Sequence, residues 1–268
     1  PAKKAAPAFQ TTQPEPWRPL FQLQRVVLES FRSIGDVEIE LADEDGKPRP
    51  WTLILGQNGS GKTTLLRAIA LLTVGKNAFA ELMVDPSLWI RNGSEKAVIR
   101  GVFKSTEESR EMRIEFRRGD TTLDVVQRHK DRFFVAGQQN YPKAYAVLGF
   151  GVSRRLSSSR SLSQGSFFRE ERAKAVATLF SPDATLTPAE TWAMDLEYRN
   201  GEAGIALVRK AVELLLPNLT FEAIDKESQQ LLLKSGRDGK VFASQLSDGY
   251  QVTLAWVVDL LYRLNRAY

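Results

Sequence analysis

The chain contains no cysteine. Disulfide staples, thiolate metal sites and thiol nucleophiles are therefore excluded, and the usage fits a reducing compartment. Histidine is nearly as scarce. The single residue, His129, lies in the charged run Arg128-His129-Lys130-Asp131-Arg132. One histidine rules out His-rich metal sites, and its charged neighbours predict a solvated ring rather than a ligand. No apolar run approaches the roughly 20 residues of a membrane span. The opening residues, rich in Pro, Ala, Lys and Gln, lack the pattern of a secretion signal. The expectation is a soluble, cytoplasmic protein with no membrane partner. A repeat of 20–50 residues is also missing, and so is a sustained heptad, which excludes solenoids and long coiled coils.

What is present suits a globular fold. Of 268 residues, 43% are hydrophobic, enough for one large domain or two small ones. Lys and Arg number 37 against 32 Asp and Glu, a net charge of +5, which permits nucleic-acid contacts without requiring them.

One stretch organises the rest. Trp51 to Leu55 is a short apolar run with the character of a buried strand. Gly56-Gln57-Asn58-Gly59-Ser60-Gly61-Lys62-Thr63 follows, a full match to the phosphate-binding loop G-x-x-x-x-G-K-[ST]. Then Leu65, Leu66, Ile69, Leu71 and Leu72 recur at helical spacing. Gly56, Gly59 and Gly61 let the backbone bring several N–H groups, including those of Asn58, Ser60 and Thr64, onto one anion. The helix start adds partial positive charge. Lys62 can reach the outer phosphates, and the Thr63 hydroxyl can ligate Mg²⁺. The expected ligand is a nucleoside triphosphate, ATP with Mg²⁺.

Around this motif the pattern predicts alternating elements. Residues 1–18 read as a flexible Pro-rich tail. Two strands fall within 20–41, separated by Glu29-Ser30-Phe31-Arg32-Ser33-Ile34-Gly35. Residues 97–104, 111–118 and 121–127 alternate, predicting an antiparallel meander with a turn at Gly119-Asp120. Residues 145–151 predict another buried strand, ending in Val152-Ser153-Arg154-Arg155. The Ser-rich run 157–166 reads as a flexible loop. Residues 168–180, 188–198 and 202–216 have helical spacing, the last ending at Pro217. Phe221–Asp225 and Gln230–Leu233 read as paired strands.

A second motif, Leu246-Ser247-Asp248-Gly249-Tyr250-Gln251, opens a long apolar helix. Alone it is a common helix cap. With the phosphate loop upstream it resembles the signature Leu-Ser-Gly-Gly-Gln of the ABC-type ATPases. That resemblance implies that Ser247 and Gly249 close over the γ-phosphate held by the loop of a second subunit. Phe31-Arg32-Ser33 before the loop is similar to the opening of the RecF/SMC/OLD-like branch, in which the pair equivalent to Arg32 and Ser33 lies beside the nucleotide. The Tyr145–Arg154 segment and the Leu-Ser-Asp-Gly-Tyr variant resemble bacterial anti-phage defence ATPases of the Septu and retron type.

The resemblance implies an α/β fold: a P-loop NTPase with a mixed core sheet, an antiparallel β lobe and a helical lobe. The expected organisation is a core lobe at 19–152, a helical lobe at 153–244, and the signature with its helix at 245–268. It also implies a homodimer or higher homo-oligomer sandwiching two ATP–Mg²⁺, which gates a nuclease or other effector partner or acts on nucleic acid. The lobe-joining glutamine falls on Gln138 or Gln139, equally well explained as loop polar residues. Arg154 is a phosphate contact or surface charge with equal weight. Two departures stand out. The Asp-Glu motif that should follow the signature is missing: Leu254–Asp259 and Trp192–Glu197 match it only superficially and carry helical spacing. The switch histidine is missing too. The expectation is an ATPase core whose catalytic carboxylates lie outside these residues, so that this span binds nucleotide but hydrolyses it poorly. A transporter ATPase subunit and a nucleotide-gated scaffold are the alternatives.

Overall fold

The computed structural model describes residues 21–131 except 107, 147–152, 155–156, and 168–267 except 226, 237 and 238. Alternation builds the first sheet. Strands β1 (Gln22–Glu29), β2 (Val37–Glu40), β3 (Lys96–Lys104) and β4 (Ser109–Arg117) pair antiparallel in the order β2-β1-β3-β4. Val26, Leu28, Ile99, Phe103, Ile114 and Phe116 turn inward. Helix α1 (Lys62–Thr73) joins that core with Leu65, Ala68, Leu71 and Leu72. Polar positions of the strands pair with one another: Arg25 with Glu38 at 2.7 Å, Arg100 with Glu29, and Glu115 with both Arg113 and Arg117. Burial opposes the charge on Glu115, but hydrogen bonds from Arg117 and Arg113 outweigh it and hold its pKa at about 2. Helices α2 (Lys76–Leu82) and α3 (Thr122–Arg128) and a short 3-10 turn, Pro86–Trp89, complete one side. Helices α4 (Glu171–Lys174) and α5 (Ala177–Phe180) add Ala173, Val176 and Leu179 to the same core.

A second hydrophobic cluster runs from Ala189 to Val258. It gathers helices α6 (Ala189–Asn200) and α7 (Glu202–Leu215), the antiparallel strands β7 (Leu219–Asp225), β8 (Gln230–Ser235) and β9 (Gly239–Phe242), and helix α8 (Asp248–Ala267). Helices α6 and α7 cross closely, since a Cβ on Gly204 would stand 2.2 Å from the Leu196 carbonyl oxygen. A short parallel pair, β5 (Arg155–Leu156) with β6 (Thr185–Leu186), touches α8. Asp259 is 0% exposed. Its carboxylate accepts from the Thr187 N–H at 2.8 Å and from Arg263 at 2.6 Å, fixing α8 to the segment before α6.

The α/β class, the first two strands, the 97–104 and 111–118 pairing, the helices near 188–216 and the β7–β8 hairpin match the sequence pattern. So does the helical placement of Trp192–Glu197 and Asp259. Four expectations need correction. The run Trp51–Leu55 pairs with no strand among the described residues; Trp51, Leu53 and Leu55 are 89%, 81% and 80% exposed, and only Ile54 packs on the core. An apolar run signals a preference for burial, but a strand exists only where a neighbour completes its ladder. Residues 121–127 form α3, not a strand, because Thr121 and Asp124 make a reciprocal capping box at 3.2 and 2.8 Å. Residues 147–151 form no ladder either. The Gly149 N–H donates to the Ala175 carbonyl at 3.0 Å, and the Gly151 N–H to the Thr178 hydroxyl at 3.0 Å. His129 is buried, and its Nε2 accepts the Glu115 N–H at 3.0 Å, so a solvated ring is not what the fold makes of it.

Candidate functional site

The segment from Gly56 to Thr64 is built around Gly61. This residue caps α1 with φ +97°, a left-handed conformation that glycine adopts without penalty. A Cβ here would also meet the Ile34 Cγ1 at 2.7 Å and the Ser33 hydroxyl at 3.5 Å. The turn at 31–34 therefore presses directly on the loop. Gly59 is left-handed as well, at φ +83°. A Cβ on Gly56 would stand 2.5 Å from the Ser60 hydroxyl oxygen, so a larger residue there would require Ser60 to turn away.

The first turn of α1 has neither a side-chain cap nor an acidic residue. Its leading N–H groups, Lys62, Thr63 and Thr64 among them, are the orphan donors that bind anions at helix starts. The Lys62 ammonium folds back over the loop and donates to the Gly56 and Gln57 carbonyls, each at 2.7 Å. An ammonium carries three donors, so this pinning leaves one for an anion. Glycine-shaped arch, uncapped helix and inward cation together make an arrangement that can accept an anion. Thr63 stands half-buried at the helix start. Among the described residues no cluster of three His, Asp or Glu could hold a metal ion.

Ser33 stands beside Gly61, and Arg32, the residue before it, turns towards Trp89. Ser30 and Arg32 both take left-handed backbone, at φ +48° and +54°. The Arg32 N–H donates to the Trp89 carbonyl at 2.9 Å, and its guanidinium lies 5.0 Å from the Trp89 ring centroid. Arg67, one turn along α1, is half-buried and donates to the Leu179 carbonyl. Its pKa is lowered, first by burial and then by the charge of Arg32. Arg67 and Trp89 were not among the residues singled out from sequence. Neither belongs to a motif, and Arg67 meets a partner 112 positions away.

The second motif lies on the other cluster. Ser247, Asp248 and Gly249 are exposed at the start of α8, and a Cβ on Gly249 would meet nothing within 4 Å. Side-chain hydrogen bonds hold the approach. Gln251 Nε2 donates to the Leu246 carbonyl at 2.6 Å and the Ser244 carbonyl at 3.1 Å, and Ser244 donates to Gln230 at 2.7 Å. Gln138, Gln139 and Arg154 lie outside the described residues.

A family described as AAA domain matches residues 25–180, over half of the chain. The Septu protein PtuA of Bacillus mycoides (strain KBAB4) is 21% identical over 240 residues, covering 89% of this chain and 31% of that protein. The DNA replication and repair protein RecF of Shewanella loihica (strain ATCC BAA-1088 / PV-4) is 31% identical over 104 residues, covering 38% of this chain and 26% of that protein. The chain thus spans about a third or less of the length of these curated relatives. A solved structure of the recombination mediator protein RecF with a bound ATP analogue aligns over 93% of this chain and 82% of that one, at 11% identity and a TM-score of 0.43.

Proposed function

The chain belongs to the AAA domain family, and from that premise we propose that it binds ATP and Mg²⁺ in the Gly56–Thr64 loop and associates with a second copy through Ser247 and Gly249. The observation that carries this reading is the start of α1: left-handed Gly61, no side-chain cap, and Lys62 folded onto the Gly56 and Gln57 carbonyls. Such a cradle offers backbone N–H donors and one cation to a chain of phosphates. Thr63 would supply the protein oxygen for Mg²⁺, whose other positions commonly go to phosphate and water. Ser33, held beside Gly61, and Arg32, next to it in the chain, would border the nucleotide.

The signature contributes differently. Ser247 and Gly249 are exposed at a helix start, held by Gln251, and carry no cation of their own. They would add a hydroxyl and backbone donors to a γ-phosphate already bound by the partner subunit. ATP would thereby join two copies, and hydrolysis would part them. The outputs this suits are a nuclease or other effector partner in anti-phage defence, or action on DNA. The likeness to a Septu protein and to a DNA replication and repair protein supports them.

The test is ATP hydrolysis by the full-length protein beside its Lys62→Ala variant. Turnover that vanishes with Lys62 is expected. Equal, near-zero rates would replace the enzyme by a nucleotide-gated scaffold. Binding to DNA should weaken steeply with salt if the basic surface is used, and no affinity at low salt would remove the nucleic-acid role.

A further inference from the structure

Two arginines outside the phosphate loop lead to the same short segment, Arg67 directly and Arg32 by way of Trp89. From α1, the Arg67 guanidinium donates to the Leu179 carbonyl. From the 31–34 turn, Arg32 covers Trp89, and the Trp89 ring packs on Phe180 with centroids 5.9 Å apart. The segment they reach grips the 149–151 backbone. Thr178 Oγ accepts the Gly151 N–H at 3.0 Å and donates to the Gly149 carbonyl at 3.3 Å. The fit leaves no room for a side chain. A Cβ on Gly151 would stand 1.9 Å from the Thr178 carbonyl oxygen, and one on Gly149 2.4 Å from the Leu179 Cδ1. Phe150, between these glycines, meets Trp256 of α8 edge-on at 5.8 Å. Trp256 lies on the helix that Ser247 and Gly249 open.

We infer that Arg67 is a positioning residue that couples the phosphate loop to the signature helix of the same chain, through Leu179, Thr178, the Gly149–Gly151 backbone and the Phe150–Trp256 contact. This rests on the proposed nucleotide role of the loop and deepens it: a subunit's own ATP sets the attitude of the signature it offers to its partner. The route is made of hydrogen bonds, a close backbone contact at Gly151 and, at its far end, one ring contact, and such packed parts tend to move together rather than deform. Arg32 lies close enough for its charge to act on Arg67. An anion that engages Arg32 therefore changes the field at Arg67 as well as the loop it leads from.

The experiment follows hydrogen exchange at amides 250–256 of the full-length protein with and without ATP and Mg²⁺. It is run in a Ser247→Arg background, so that association contributes nothing. Nucleotide affinity is measured in parallel with a fluorescent ATP analogue. The expected result is an ATP-dependent change in exchange of about tenfold, within the range of inter-site coupling. Arg67→Met should abolish the change while leaving nucleotide affinity within about threefold, and Arg67→Lys, which keeps a donor for the Leu179 carbonyl, should restore part of it. Phe150→Leu probes the far end of the route and should weaken the change without touching the loop, which keeps the test open if Arg67→Met folds poorly. ATP binding with no change at 250–256 would overturn the coupling and leave the proposed function standing. A change that survives both Arg67→Met and Phe150→Leu would overturn it equally. Loss of affinity in Arg67→Met matching the loss of the change would make Arg67 a binding residue instead. Failure of the parent to bind ATP at all would remove both readings.

Discussion

Two helix starts in this molecule carry glycine and hydroxyl residues, and they are built in opposite ways. At the start of α1, Gly61 is left-handed and pressed by Ile34, the first turn has no acid, and Lys62 lies inside the arch. At the start of α8, Gly249 has open space around it, Asp248 places a negative charge in the first turn, and no cation stands among Ser247, Asp248, Gly249 and Tyr250. The first cradle can hold a polyanion alone. The second can only add donors to an anion that something else already neutralises. That asymmetry is the physical argument for the proposed site shared between two copies, in which the complete cradle would bind and the incomplete one would recognise what is bound.

The largest effect that sharpens this comparison lies further along the helix that the second motif opens. Asp259→Ala leaves Arg263, nearly as buried, without its partner and frees the Thr187 N–H. Breaking a buried pair this way costs about 3–5 kcal/mol. Urea unfolding should show the α6–α8 region destabilised while nucleotide binding at the loop persists. An equal loss at both would mean that the two regions are one cooperative unit.

Gly61→Ala should act at the first helix start. A left-handed alanine costs about 1–2 kcal/mol, and its Cβ would displace Ile34. Titration calorimetry should show ATP affinity lowered at least about tenfold, as expected when a charge-assisted hydrogen bond is lost. The matched change Gly249→Ala should leave stability within about 0.5 kcal/mol and ATP affinity unchanged, with its effect confined to association. If the two glycines respond alike, the asymmetry is wrong.

A smaller effect separates the first region by pH. The pKa of Glu115 falls from 4.5 to about 2 in the folded chain. Its contribution is therefore present above pH 4.5 and is lost as pH falls towards 2. Thermal melts across that window should steepen in the wild type and flatten in Glu115→Gln. A variant with the same slope would place the acid sensitivity elsewhere.

Local signals made much of this legible. The loop glycines, Lys62, the helical spacing after them, and the alternation of β1, β3 and β4 are short-range patterns that tertiary structure had no reason to overrule. The capping box at Thr121 and Asp124 was also in the sequence, and it outranks the weak alternation of 121–127. The burial of His129 was not legible, because its partner is a strand amide from β4 rather than its charged neighbours. The exposure of Trp51, Leu53 and Leu55 was not either, since hydrophobicity does not say whether a pairing strand is at hand. The bond from Arg67 to Leu179 joins residues that no local pattern relates.

The central claim is that the exposed signature acts on a nucleotide held by another copy. Sedimentation of the full-length protein with a non-hydrolysable ATP analogue, beside its Ser247→Arg variant, tests it most directly. The account predicts nucleotide-dependent dimers for the wild type and monomers for Ser247→Arg, each monomer still binding the analogue through its own loop and Lys62, with affinity lower than the dimer's only by the coupling that dimerisation supplies. Dimers that form equally well in Ser247→Arg would contradict it.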